Sequence, residues 1–256
     1  MTAAREADLR RAADLLLDAR RTKTTIEDLP EDVRPVDVNE AYYIQDRMAE
    51  AYGDIGGWKI GAGSPDATPL YGPMMKAWLA EDRAVWKDAR HRFRGLEAEI
   101  AFKVGKDLPA RATPYTREEV VAAMESCHPA IEVLECALTE PKKVGKPSMI
   151  ADLQMHGGFV AGPAIANWQA IDWSKESVSL SVDGVVRVER TGSNTSGDLV
   201  GLLPYLANQG AARTGGLKKG DWITTGSWTG NTPSESGSSV DVVFSPHGGR
   251  VSLKFA

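Results

Sequence analysis

Glu97 and Glu99 stand two residues apart in Gly95-Leu96-Glu97-Ala98-Glu99-Ile100-Ala101-Phe102, an otherwise apolar run. Side chains of an extended strand alternate between faces, so these two carboxylates share a side with Ala101 and Lys103. Leu96, Ala98, Ile100, Phe102 and Val104 take the opposite side. Two like charges about 6.5–7 Å apart along a strand repel unless water or a cation lies between them. The face is therefore either fully wet or it grips a hard cation such as Mg²⁺. Glu132 interrupts a second apolar run, Pro129-Ala130-Ile131-Glu132-Val133-Leu134. If the two strands are neighbours, three oxygen donors converge and leave about half of an octahedral shell open. Such an open site suits Lewis-acid chemistry. The competing reading is a solvated edge strand, with Glu132 held by an arginine or a lysine.

Lys59 lies between Trp58 and Ile60 in a segment that reads as buried. A buried lysine needs a partner or loses its charge. It is either half of an ion pair or a cation beside the carboxylates, placed to bind an anion or transfer a proton. Gly220-Asp221-Trp222-Ile223-Thr224-Thr225-Gly226-Ser227 ends a strand in a loop of small and hydroxyl residues. Its N–H groups and hydroxyls could bind a carboxylate, although a plain strand-to-turn junction looks the same. His91, His128, His156 and His247 are scattered; His156, before Gly157-Gly158, is either placed to approach a ligand or, the preferred reading, an ordinary loop histidine, and His247 reads as a turn residue. No nucleophile elbow, phosphate-binding loop or dinucleotide glycine fingerprint occurs.

The elements that must position these groups follow from periodicity. Ala4 to Arg20 predicts a helix with Leu9, Ala12, Ala13 and Leu16 on one stripe. Arg21 to Pro35 is a polar connection punctuated by proline. Asp37 and Glu40 stand at capping-box spacing before a helix that should bury Ala41, Ile44, Met48 and Ala51 and end at Gly53 to Gly57. Thr116 and Glu119 mark a second box opening a helix to Glu125. In the C-terminal half, Val178 to Val188 breaks at Asp183-Gly184, a hairpin signal. Leu199 to Arg213 predicts a helix despite Pro204, while Asp221–Thr225, Val240–Phe244 and Val251–Phe255 predict strands. Strand runs with occasional helices, without βαβα alternation, argue for an α+β fold.

The 256 residues carry a net charge of −5, which argues against a nucleic-acid surface. No apolar run approaches the roughly 18 residues of a membrane span, and the charged start is unlike a secretory signal. The two cysteines, Cys127 and Cys136, suit a reducing compartment, so a soluble cytoplasmic protein is expected.

Six short segments, in their order and spacing, resemble the 2-keto-4-pentenoate hydratase and 4-oxalocrotonate decarboxylase group of the fumarylacetoacetate hydrolase superfamily. They are Ala41-Tyr42-Tyr43-Ile44-Gln45, Gly57-Trp58-Lys59-Ile60-Gly61, Leu96 to Phe102, Pro129-Ala130-Ile131-Glu132, Gly157-Gly158-Phe159-Val160-Ala161-Gly162 and Gly220 to Gly226. The resemblance implies a mixed β-roll with peripheral helices: a helical annex over residues 1–56 integrated with a catalytic body over 57–256. It implies homo-oligomers, with Mg²⁺ or Mn²⁺ held by Glu97, Glu99 and Glu132. Lys59 would be the active-site lysine, and Ile60, Gly61, Thr225 and Gly226 would line the substrate's carboxylate end. The substrate would be a small 2-oxo acid whose enolate the metal stabilises. Hydration, decarboxylation and C–C hydrolysis of an acylpyruvate all pass through that enolate, so the ligands alone do not name the reaction.

The chain departs from the group's pattern at two places. Leu70 stands before Tyr71-Gly72 where the hydratases carry an acid, and Asp152-Leu153-Gln154-Met155 replaces an Asp-Asn-Ala-Ser segment. Both changes remove polar groups. They point to a larger, more apolar 2-oxo substrate and keep open a non-catalytic metal and oxo-acid binder.

Overall fold

The computed structural model describes residues 1–87 and 91–256. Helices α1 (Ala3–Thr22) and α2 (Val38–Tyr52) precede β1 (Ile55–Gly61), β2 (Leu70–Met75), β3 (Leu79–Glu81) and β4 (Ala84–Trp86). The long β5 (Gly95–Val104), β6 (Leu108–Pro109), α3 (Arg117–Ala122) and the long β7 (Met124–Leu134) follow. Then come α4 (Lys146–Ala151), β8 (His156–Ala161), the hairpin β9 (Ser177–Val182) and β10 (Val185–Thr191), and α5 (Leu202–Tyr205). The chain closes with β11 (Gly216–Leu217), β12 (Trp222–Thr224), β13 (Thr232–Pro233), β14 (Ser239–Ser245) and β15 (Gly249–Phe255).

Two mixed sheets make up the body. One runs β2-β1-β12-β5-β7-β8-β3 with β13 beside β5; the other runs β10-β9-β14-β15-β4. Most pairs are antiparallel, as the α+β reading requires, but β1 joins β12 in parallel. That approach is close: a Cβ on Gly57 would lie 2.3 Å from the Trp222 carbonyl oxygen, so only glycine fits there.

Alternation along β5 is as expected. Leu96, Ala98, Ile100, Phe102 and Val104 enter the main core with Trp58, Ile131 and Val133. The opposite face is not wet, because Ala101, Ala130, Phe159 and Ala161 form a second small apolar cluster there. Glu97 and Glu99 therefore project from a covered face.

The helices follow the predicted stripes with local departures. In α1, Leu9, Ala12, Ala13 and Leu16 are buried. In α2, Ala41, Ile44 and Met48 are buried but Ala51, in the last turn, is exposed. Asp37 caps α2 through the N–H groups of Asn39 and Glu40. Glu40 does not close the box; it accepts from the Val36 N–H at 2.9 Å and takes a two-pronged Arg5 contact from α1. The Thr116–Glu119 box is complete, but its helix stops at Ala122 and Glu125 already belongs to β7. Pro204 falls in the first turn of α5, where a missing N–H costs nothing. The chain keeps winding to Thr214 through a widened turn. The polar-looking 21–35 connection buries Leu29 and Val33.

Arg20, at the end of α1, reaches into the body. Its guanidinium meets Asp152 Oδ1 at 2.5 Å, the His156 carbonyl at 2.8 Å, the Glu135 carbonyl at 2.9 Å and the Asp152 carbonyl at 3.0 Å. The pair is almost wholly enclosed, and Asp152 Oδ2 accepts from the Ala137 N–H at 2.7 Å. Removing one partner of a buried pair leaves an uncompensated charge. Arg20→Met is expected to lower stability by about 3–5 kcal/mol in urea unfolding. Arg20→Lys should keep part of the loss, because an ammonium cannot reproduce the planar fork.

Candidate metal centre

Register brings the acidic side chains together. Glu97 on β5 lies directly opposite Glu132 on β7, and Glu99 is one alternation further along. Residues opposite one another in a ladder share a face. Lys59 on β1 is opposite Thr224 on β12, which is opposite Ala101 on β5. Both rows therefore emerge on the same side of the sheet. The oxygens of Glu97, Glu99 and Glu132 lie within 4.8 Å of one another.

Each carboxylate is held differently. Glu132 is fully buried, and its Oε1 accepts from Lys59 Nζ at 2.7 Å and from His156 Nδ1 at 3.0 Å. Glu99 is 1% exposed; its Oε2 accepts from the Thr224 hydroxyl and, at 2.9 Å, from the Gly226 N–H. Gly226 has φ +91°, a left-handed setting that aims this N–H and that other residues rarely adopt. Glu97 is half-buried and faces the opening.

Electrostatics divides the three. Burial raises the Glu99 carboxyl well above the ordinary range, and Glu132 and Glu97 push it further than Lys59 and Thr224 can offset. Burial also raises Glu97 against the pull of Lys59. Burial would raise Glu132 too, but the Lys59 charge and the His156 hydrogen bond outweigh it and hold Glu132 low. Burial opposes the charge on Lys59, but Glu132, Glu97 and Glu99 outweigh it and keep the ammonium charged. Burial lowers His156, so the neutral ring donates from Nδ1 to Glu132.

The residue set fits a hard divalent cation. Glu132 Oε2 is buried with no hydrogen-bond partner, an unsatisfied acceptor that a cation would complete. The converging donors are all carboxylate oxygens, the preference of ions such as Mg²⁺ rather than of softer metals. A cleft of about 970 Å³, lined by Lys59, Glu97, Gln154 and Met155 among others, opens onto the cluster.

The other expected residues fall around this centre. Gly61 and Gly226 pack backbone to backbone, beside the Ile60 carbonyl. The Thr225 hydroxyl is spent on the Ile100 carbonyl at 2.7 Å. The carboxylates that the Gly220–Ser227 segment binds are the chain's own: Glu99 through Thr224 and Gly226, and Glu97 through the Ser227 side chain. Sequence reasoning missed Thr224, whose role depends on the register of β12, and it read His156 as a loop residue although it begins β8. It also missed the turn before β8, where Leu153, Gln154 and Met155 have φ of 50°, 50° and 63°. Three successive non-glycine residues in the left-handed region store strain. The turn directs the Gln154 carbonyl to Lys59 Nζ at 3.0 Å.

The fumarylacetoacetate (FAA) hydrolase C-terminal family matches residues 66–254. The chain belongs to that family. It is 26% identical over 254 residues to the TodF product hydratase of Pseudomonas putida F1, covering 93% of this chain and 92% of that one. It is 26% identical over 175 residues to the 4-oxalocrotonate decarboxylase of Pseudomonas sp. CF600, covering 68% of this chain and 65% of the relative. The 4-oxalocrotonate decarboxylase of Pseudomonas putida G7, solved with calcium and acetate and with magnesium and adipate, shares the fold at a TM-score of 0.82. There the identity is 24%, over 100% of this chain and 99% of that one. The family's mixed roll is thus the fold of this chain. Among the described residues, no helix is long and apolar enough to cross a membrane.

Glu99→Gln keeps an acceptor for Thr224 and Gly226 but deletes a charge. Because burial raises this carboxyl, its cost to folding is absent at acid pH and grows as pH rises through the raised range. At mildly alkaline pH, the metal-free variant should melt above the metal-free parent, by about 2–4 °C for each kcal/mol relieved. Mg²⁺ should raise the melting temperature of the parent and not of the variant. A parent that melts identically with Mg²⁺ and with a chelator would remove the metal reading.

Proposed function

We propose that the chain is a divalent-metal-dependent lyase acting on an unsaturated 2-oxo or 2-hydroxy acid, with Mg²⁺ or Mn²⁺ as the ion. Hydration of a 2-keto-4-pentenoate-type substrate is the first reading. The observation that carries the proposal is the buried cluster of Glu97, Glu99 and Glu132 with an unpartnered oxygen, open to a cleft beside a charged lysine. The relative matched along nearly its whole length is named as a hydratase, which supports this choice.

Glu97, Glu99 and Glu132 would hold the ion. When bound, it would supply Lewis acidity toward neighbouring carboxylate and 2-oxo oxygens. Lys59 has three N–H donors, of which Glu132 and the Gln154 carbonyl take two. The third is free for an anionic oxygen in the cleft that Lys59 lines. Surrounded by carboxylates, Lys59 stays an ammonium, so its part is to orient the acid and stabilise negative charge developing on oxygen rather than to act as a base. Ile60, Gly61, Thr225 and Gly226 would shape the carboxylate end through their backbone, since the Thr225 hydroxyl is already engaged. His156 holds Glu132 from behind and fixes its orientation, as an outer partner of a metal-binding carboxylate does.

Decarboxylation of a 2-oxo diacid is the second reading, favoured by Leu70. This half-buried residue lies opposite Gly61 and brings no group able to relay a proton to or from water. Losing CO₂ does not require a water positioned at the alkene.

The two readings separate when the Mg²⁺-loaded protein is given 2-hydroxypenta-2,4-dienoate and 2-oxohex-3-enedioate. Loss of dienoate absorbance with uptake of water is the expected result. CO₂ from the second compound without hydration of the first moves the assignment to decarboxylase, and no turnover of either sinks the lyase reading. In the productive assay, Lys59→Met should cost about 10²–10³-fold in kcat, the effect of removing one preorganised donor.

A further inference from the structure

The loop that follows β12 is held in place by a segment that carries none of the metal-binding groups. Ser193 donates its hydroxyl to the Trp228 carbonyl at 2.7 Å, and Thr195 donates its hydroxyl to the Ala62 carbonyl at 2.6 Å. Between them, Asn194 Nδ2 donates to the Thr225 carbonyl at 3.0 Å and to the Gly226 carbonyl at 2.9 Å. Asn194 Oδ1 accepts from the Ser196 N–H at 3.0 Å and from the Ser196 hydroxyl. A backbone N–H can only donate and a carbonyl can only accept, so these partners fix which way the amide lies. All four hydrogen-bonding positions of this half-buried side chain are then occupied.

One of those bonds bears on the carboxylate cluster. The Thr225 carbonyl and the Gly226 N–H are the two ends of a single peptide unit. The unit is planar and trans, so its C=O and N–H point in opposite directions. Asn194 therefore holds one end of the peptide whose other end donates to Glu99 Oε2 at 2.9 Å.

A peptide unit can turn over about its flanking Cα atoms by changing only ψ before it and φ after it. The residue before this one is anchored separately, since the Thr225 N–H and hydroxyl both go to the Ile100 carbonyl, at 3.2 and 2.7 Å. The residue after it is a glycine at φ +91°, and glycine accepts positive and negative φ about equally. Backbone preference alone thus does not choose between the two orientations. In the reversed one, the Thr225 carbonyl oxygen would face Glu99, and a donor to that carboxylate would become an acceptor.

We propose that Asn194 is a positioning residue of the metal centre, a latch that keeps the Thr225–Gly226 peptide turned with its N–H on Glu99. This rests on the reading of Glu97, Glu99 and Glu132 as ligands of a divalent ion. An outer partner that orients a ligand tunes the affinity for the ion without touching it.

Two substitutions separate a latch from a prop. Asn194→Ala releases the carbonyl and leaves the peptide free to turn. Asn194→Asp keeps the size and the Ser196 contacts but sets a carboxylate oxygen against two carbonyls, which favours the reversed peptide. A residue that merely supports the loop is replaced better by Asp than by Ala; a latch predicts the opposite order. The full chain is titrated with Mn²⁺ by calorimetry, and Gly226 amide hydrogen exchange is followed by NMR in the metal-free protein. Mn²⁺ affinity should fall about 10-fold in Asn194→Ala, the lower end of the range for outer partners of metal ligands, and further in Asn194→Asp. The Gly226 amide should lose protection in the same order. The added charge in Asn194→Asp would by itself favour a cation, so a loss there has to come through the peptide. Ser193→Ala frees the Trp228 carbonyl from the same segment and should leave both readings unchanged. Melting temperatures in chelator verify that each variant is folded. An equal loss in Ser193→Ala, a milder effect of Asp than of Ala, or unchanged Gly226 exchange in both Asn194 variants would overturn the latch, whatever the ion does. A parent that binds no Mn²⁺ overturns the metal reading itself.

Discussion

Three carboxylates within 4.8 Å of one another in a covered pocket are a standing electrostatic cost. Burial strengthens their repulsion and removes the water that would screen it. The surroundings offset the cost only in part. Lys59 and His156 both address one oxygen of Glu132, and Thr224 and Gly226 address one oxygen of Glu99. These contacts fix each carboxylate in orientation while leaving Glu132 Oε2 without a partner. A site built for stability alone would have used that oxygen. Leaving it bare, with Glu99 pushed toward its protonated form, makes the pocket a poor home for three acids and a good one for three acids and a cation.

Holding like charges together requires a rigid frame, and the frame extends well beyond the sheet. Arg20 binds Asp152 and the carbonyls of Glu135 and His156, so the end of α1 clamps both sides of the turn before β8. That turn presents the Gln154 carbonyl to Lys59 and delivers His156 to Glu132. Its three left-handed residues would relax without such a clamp. A second tie, from Thr25 and Ile26 to Thr139, fixes the start of the segment that brings Lys142 and Lys146 to the cleft. Leu9, Ile44, Trp58 and Phe255 share one continuous apolar core. The N-terminal helices are therefore part of the machinery that positions the site.

What could be read from residue order was whatever depends on local alternation. Glu97 and Glu99 had to share a face, Trp58 and Ile60 had to be buried around Lys59, and Asp183-Gly184 had to turn a hairpin. Properties that depend on which strand lies beside which were not available. The choice between a wet face and a cation site turned on Ala101, Ala130 and Phe159 covering the second face, and only the pairing of β5, β7 and β8 places them there. Thr224 and Thr225 are adjacent and chemically identical, yet the register of β12 with β1 and β5 gives Glu99 to the first and the Ile100 carbonyl to the second. The left-handed run at Leu153 to Met155 left no glycine to betray it, since tertiary contacts from Arg20 and Lys59 hold it. Ala51 kept the helical period but lies in the last turn of α2, where the helix projects past what covers it.

The division between the carboxylate cluster and the rest of the cleft explains how one arrangement of ligands can serve several reactions. At the inner end, the groups that matter are fixed by backbone register and buried contacts, so a substitution there disturbs the fold as well as the chemistry. Away from the cluster, Met155, Lys142 and Lys146 line the cleft at half-buried or exposed positions outside the strands. Under the proposed function, chemistry common to 2-oxo acids would belong to the inner groups, and the choice of tail would belong to the residues that line the rest of the cleft. Apolar lining and charged side chains are compatible demands under this division. Met149 and Met155 give the cleft apolar surface, and Lys142, Lys143 and Lys146 give it charge.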